Sequence, residues 1–311
     1  MMKGLEMIEK LKLRLLATMA PLSLMIGAPA LAQTAAPAPA AATVDADPAL
    51  WVVKDADTTI YLFGTVHVLK PGLSWFDEAV KTAFDKSDEL VLEVIQPEPA
   101  EIQKILGSVI IDTDGPPLSQ KLPEVERPAL AKALTDNGLP AAQFEVIKPW
   151  FVALTLSLAP LPKLGYDPNS GAETILTTAA KSASKPIGAL ETFNGQLAVF
   201  DTLPENVQVA YLQQTVKDLS KVGETLDKMV AQWAKGDPEA LAITMNEGLD
   251  APELRNALLT KRNIAWAEWI DNRMKKPGTV FMAVGAGHLA GKDSVQVQLG
   301  TRKLTATRIK Y

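Results

Sequence analysis

The fold turns on one stretch: Leu50-Trp51-Val52-Val53, Lys54-Asp55-Ala56-Asp57, then Thr58-Thr59-Ile60-Tyr61-Leu62-Phe63-Gly64. The first run is apolar and the last is β-branched and aromatic, with a polar turn between them, which predicts a β-hairpin. Downstream, Ser74 is placed to cap a helix with Asp77 three residues on. Trp75, Phe76, Ala79, Val80, Ala83 and Phe84 recur at helical spacing. Leu90 to Ile95 then reads as a strand closed by Pro97 and Pro99. A strand–helix–strand unit has a parallel crossover as its default, so the chain is expected to be α/β with neighbouring parallel strands.

Working outward, the middle of the chain is mostly helical: Pro128 to Thr135, the apolar run Trp150 to Ala159, and Gly171 to Lys181 after a turn-rich loop. Leu212, Val216, Leu219, Leu226, Met229, Val230 and Trp233 form one amphipathic stripe, predicting a single helix of roughly six turns. Another helix is expected from Pro252 towards Met274, followed by a strand Thr279 to Val284, a helix near Asp293 to Leu299 and a strand Lys303 to Ile309. The expected fold class is therefore α/β, a central mixed sheet with flanking helices and a largely helical middle insertion.

Lys10, Lys12 and Arg14 precede an apolar stretch, Leu15 to Gly27, that ends in Ala30-Leu31-Ala32, so residues 1–32 read as an export signal. Residues 33–48 are rich in Pro and Ala and read as a disordered linker, and residues 49–311 as the folded domain. Once the signal is cleaved, no stable membrane span is expected. With no Cys there is no lipid-modified N-terminal Cys, and export without Cys suits the bacterial periplasm.

Of 311 residues, two are histidine and none is cysteine, which removes disulfides, thiolate metal sites and a Cys nucleophile. A net charge of −5 argues against nucleic acid as a partner. The histidines share one local frame: Tyr61-Leu62-Phe63-Gly64-Thr65-Val66-His67 and Met282-Ala283-Val284-Gly285-Ala286-Gly287-His288 are each a strand followed by Gly-x-x-His. A Gly at a strand's C-terminal end lets the chain turn sharply and aims the next side chains at the crevice where α/β sheets hold ligands. His67 and His288 are thus candidate metal ligands, and two imidazoles need a third ligand. Glu93 is the best candidate, the single charge in Leu90 to Ile95, because a buried carboxylate must be paired, protonated or metal-bound. A His-Glu-x-x-His helix, a Gly-x-Ser-x-Gly elbow and a phosphate-binding Gly-rich loop are all absent from the sequence. Gly285-x-Gly287-x-x-x-Gly291 leaves too little chain after it for a dinucleotide fold.

Gly64-Thr65-Val66-His67, Leu92-Glu93-Val94 and Val284-Gly285-Ala286-Gly287-His288-Leu289 resemble the TraB/GumN/Tiki family, marked by two Gly-x-x-His motifs and an acidic residue after the first. Gly165-Tyr166-Asp167, Glu173, Leu190-Glu191-Thr192, Gln196, Phe200-Asp201 and Arg262-Asn263 follow that pattern in order, although Phe193-Asn194-Gly195 stands where relatives often carry acidic residues. The resemblance implies an erythromycin-esterase/ChaN-like sheet and divalent-metal-dependent hydrolysis of peptides or secreted proteins, with Mn²⁺ or Co²⁺ as the metal. An imidazole-plus-carboxylate set would equally allow Zn²⁺. On that reading His67 and His288 are metal ligands, Glu93 is a third ligand or the base that orients the attacking water, Arg262 stabilises the oxyanion and Glu191 supports it. The alternative is a non-catalytic envelope protein that binds a peptide or glycan in the same cleft.

Overall fold

The computed structural model describes residues 43–246 and 252–311. The expected signal segment lies outside the described residues, as does the linker up to residue 42. The last part of that linker is ordered: β1 (Val44–Asp45) pairs in parallel with β4 (Leu73–Ser74), and Ala46 is buried.

The hairpin forms as expected, β2 (Leu50–Lys54) against β3 (Thr58–Thr65), antiparallel. Its turn is held by Asp55, whose carboxylate accepts the Asp57 and Thr58 N–H groups. With β5 (Glu89–Val94), β6 (Ile187–Glu191), β7 (Gly278–Gly285) and β8 (Thr307–Ile309), these strands build a six-stranded mixed sheet in the order β6-β5-β7-β3-β2-β8. The sequence makes β3 and β5 direct neighbours. Instead β7 lies between them, parallel to both. β3 runs into a second short pairing and a helix rather than straight back to the sheet, which leaves room for a strand from the far end of the chain.

Ser74 does not cap a helix: it sits in β4, its hydroxyl bonds Asp77 at 2.5 Å, and the helix starts at Glu78. The single long helix also divides, into Glu205–Asp218 and Val222–Ala234, with a short 3₁₀ turn at Leu219–Lys221 between them. The cause is that the stripe serves two cores. Leu212 packs in the helical middle with Trp150 and Phe151, whereas Met229, Val230 and Trp233 pack against the sheet. The C-terminal helix is likewise built in pieces, with a π turn at Asn256–Thr260 leading into Lys261–Arg273.

Strand alternation distributes the sheet over two faces. Phe63, Leu90, Leu92, Phe281 and Ala283 pack beneath the helices Glu78–Lys86, Ala172–Ser182 and Val222–Ala234. Ile60, Leu62, Val91, Val280, Met282 and Val284 pack against Lys261–Arg273 and Val295–Thr301. Glu93, two residues beyond Val91, therefore falls on the face covered by the helix that carries Arg262. Among the described residues no helix is long and apolar enough to cross a membrane.

Candidate functional site

The two Gly-x-x-His motifs come from opposite ends of the domain and lie on adjacent parallel strands, with Thr65 opposite Gly285. β5 ends beside β7, so His67, His288 and Glu93 leave three successive strands at the same edge. Gly285 marks where they meet. A methyl built on its Cα would stand 3.1 Å from Glu93 Oε1, 3.6 Å from His288 Cδ2 and 4.0 Å from His67 Nε2.

Each imidazole is oriented from behind. His67 Nδ1 lies 2.6 Å from Glu173 Oε1, an oxygen that also accepts the Thr65 hydroxyl at 2.5 Å. Glu173 belongs to the first turn of Ala172–Ser182, where the positive end of the helix dipole favours a carboxylate. That helix docks on the His67 loop through the Ala172 N–H, which donates to the Val66 carbonyl. Gly171 permits this contact, since a Cβ there would fall on the His67 carbonyl oxygen. The Glu173 carboxylate holds the His67 imidazole above its ordinary value, and with the side chain 71% exposed, water screens part of that pull.

His288 is buried and its ring packs 4.3 Å from Trp266. Asn263 Nδ2 donates to the Asp293 carbonyl, so its Oδ1 accepts from His288 Nδ1 at 2.6 Å and places the lone pair on Nε2. Burial pushes His288 down to about 3, leaving it neutral near pH 7. For Glu93, burial alone would raise the carboxyl. The positive charges of Arg262 and His67, with the Gly285 N–H donating to Oε1 at 2.6 Å, and that of His288 wherever it is protonated, outweigh burial and hold it at about 2.

Arg262 joins the remaining groups. Its Nη2 is 2.7 Å from Glu93 Oε2, its Nε and Nη2 donate to the two Glu191 oxygens at 2.8 and 3.0 Å, and its Nη1 donates to His288 Nε2 at 3.0 Å. Trp266 Nε1 donates to Glu191 at 2.9 Å, and Gln196 Nε2 reaches Glu93 Oε2 at 3.2 Å.

All five residues singled out in the sequence, His67, His288, Glu93, Glu191 and Arg262, are gathered at this edge. Glu173, Asn263 and Trp266 were not assigned roles from sequence. Glu173 and Asn263 stand among the positions that follow the family pattern in the sequence, and that pattern attaches no chemistry to them.

The profile of the TraB/PrgY/gumN family matches residues 49–308. The chain belongs to the TraB/PrgY/gumN family. This TraB/PrgY/gumN protein is 28% identical over 182 residues to the uncharacterized protein YbaP of Escherichia coli K12, covering 58% of this chain and 67% of YbaP. YbaP of Shigella flexneri matches to the same extent, and an uncharacterized protein of Treponema pallidum is 22% identical over 273 residues, 82% of this chain and 80% of that protein. No solved structure matches the chain.

Two imidazoles and a carboxylate are donor types that divalent cations accept. Two imidazoles each have Nδ1 tied to an oxygen, which is how metal-bound histidines are oriented, and a buried carboxylate faces the same point. Among the described residues no three such groups stand at coordinating distance. The Arg262 guanidinium sits on His288 Nε2, the atom that a metal would use.

Proposed function

We propose that the protein is a divalent-metal-dependent hydrolase acting on peptides or secreted proteins in the periplasm, with an erythromycin-esterase/ChaN-like arrangement of its sheet. The convergence of His67 Nε2, the His288 ring and Glu93 Oε1 on one point beside Gly285 carries this reading. His67, His288 and Glu93 would hold the ion, Mn²⁺ or Co²⁺ by family likeness or Zn²⁺ by ligand type. When bound, it would polarise the scissile carbonyl and make water a stronger nucleophile at neutral pH.

The protein's own groups supply the rest. Glu173 fixes the ring of His67 so that Nε2 faces the point beside Gly285. Glu93, ionised and held by the Gly285 amide, is a fixed carboxylate able to orient a water proton. Arg262 carries a permanent positive charge within hydrogen-bond reach of Glu93 and His288, where it can oppose negative charge growing on a carbonyl oxygen. Glu191, itself held by the Trp266 indole N–H, anchors that guanidinium on the side away from His288.

The test measures bound metal and cleavage of a peptide library by the wild type, His67→Ala, His288→Ala and Glu93→Ala. Loss of both metal and cleavage in the variants supports the proposal. Undiminished metal and activity in both His variants refutes it, and metal-independent peptide binding without cleavage points to the non-catalytic envelope binder.

A further inference from the structure

We propose that Arg262 is the resident cation of this site, seated on Glu93 and His288, and that its guanidinium must leave His288 Nε2 for a divalent ion to enter. The inference rests on the metal-dependent reading above.

Position comes first. Nη1 lies 3.0 Å from His288 Nε2 and Nη2 lies 2.7 Å from Glu93 Oε2, so one side chain engages two of the three groups assigned to the ion. His288 has no second nitrogen to offer, because Nδ1 is committed to Asn263 Oδ1 and the ring is packed on Trp266. Guanidinium and metal therefore compete for a single lone pair.

Anchorage comes second. Arg262 does not depend on His288: Nε and Nη2 hold the Glu191 carboxylate, Nη1 also donates to the Leu258 carbonyl at 3.2 Å, and the guanidinium stacks 4.8 Å over Trp266. Leu258 lies in the π turn Asn256–Thr260, one helical turn before Arg262, and such turns recur at functional sites. Giving up His288 costs Arg262 one hydrogen bond, and a small tilt of the planar guanidinium can be absorbed by the remaining bonds to Glu191 and the Leu258 carbonyl.

Charge comes third. The Arg262 side chain is 15% exposed and that of Glu93 10%, so a divalent ion entering beside them meets a neighbouring positive charge that water screens poorly. The same charge lets Glu93 stay buried and paired with no metal present, so the chain can fold before it loads.

The test uses the full chain, freed of metal, with Mn²⁺ binding measured calorimetrically for the wild type, Arg262→Gln and Arg262→Gln/His288→Ala. The inference expects Arg262→Gln to bind Mn²⁺ about tenfold more tightly or better, with the gain removed by His288→Ala. Equal or weaker binding by a folded Arg262→Gln overturns it while leaving the metal-dependent reading standing. No Mn²⁺ binding by any of the proteins overturns both. A measurement on the wild type alone avoids the risk that Arg262→Gln misfolds: nitrogen-15 spectra of the Arg262 guanidinium with and without Zn²⁺. The expected result is loss of the Nη1 bond to His288 while the Nε–H to Glu191 persists, and an unchanged Nη1 environment with Zn²⁺ bound refutes the inference.

Discussion

Replacing Gly285 with alanine tests the geometry of the site at one atom. Gly285 has φ −50 and ψ 132, which alanine adopts without strain, so the substitution does not act through backbone conformation. It acts through the methyl group, which would lie 3.1 Å from Glu93 Oε1, 3.6 Å from His288 Cδ2 and 4.0 Å from His67 Nε2. Glu93 Oε1 cannot retreat freely, because the amide of Gly285 itself holds it at 2.6 Å. A shift of a few tenths of an ångström must come from the carboxylate, with a further push on the His288 ring. Overpacking of this kind costs about 1–3 kcal/mol of stability, small enough for the domain to stay folded. Metal affinity should fall about 10- to 100-fold and peptide cleavage by about 10²-fold, the scale of a slightly misplaced reacting group. Thermal melts, Mn²⁺ calorimetry and cleavage assays on Gly285→Ala check this. Gly64→Ala is the control: its methyl would meet Ala286 at 3.1 Å, in packing between the two motif turns rather than among His67, His288 and Glu93. A folded Gly285→Ala with wild-type metal affinity and cleavage would refute the reasoning.

Glu93→Gln should destabilise the metal-free protein by about 3 kcal/mol in urea melts, because it takes one partner from the buried Arg262. Since Glu93 is held at about 2 against an ordinary 4.5, its contribution is present above pH 4.5 and is lost only as pH falls through about 2. Glu173→Gln removes the charge facing His67. The stabilisation that the raised His67 contributes is full below its ordinary 6.5 and disappears as pH rises through the raised value. Wild type and Glu173→Gln should therefore differ most in mildly acidic chelator-treated samples and converge at alkaline pH, and a constant gap would contradict the pairing. Trp233→Phe should cost about 1–2 kcal/mol, because the buried indole N–H donates to the Gly64 carbonyl at 2.7 Å.

Local grammar made much of this fold legible. The hairpin, the apolar helix at Pro149–Leu158 and the strand before Gly285 all announce themselves within a dozen residues. What could not be read is what depends on distant partners. Nothing near β3 or β5 says that β7 enters between them, since strand order is fixed by packing over more than two hundred residues. The stripe through Leu212 and Trp233 is regular, and only the existence of two cores breaks it. At the site, the scarce residues and the supporting Glu191 were readable, whereas the contacts made by Glu173 and Asn263 were not. His67, His288 and Glu93 stood out by rarity or by an apolar setting, whereas Glu173 and Asn263 are common types whose partners lie far along the chain.

The insertion of β7 between β3 and β5 sets the timing of this protein's life. A chain emerging in order makes β3 and β5 long before β7, and until β7 arrives each has an unpaired edge able to recruit other strands. Contacts spanning such separations form slowly, so the half-made sheet is the species that most needs a chaperone. The same late strand delivers His288 and the Gly285 amide, so no partly folded form brings His67, Glu93 and His288 together. Whatever chemistry the site performs is thereby withheld until the sheet has closed.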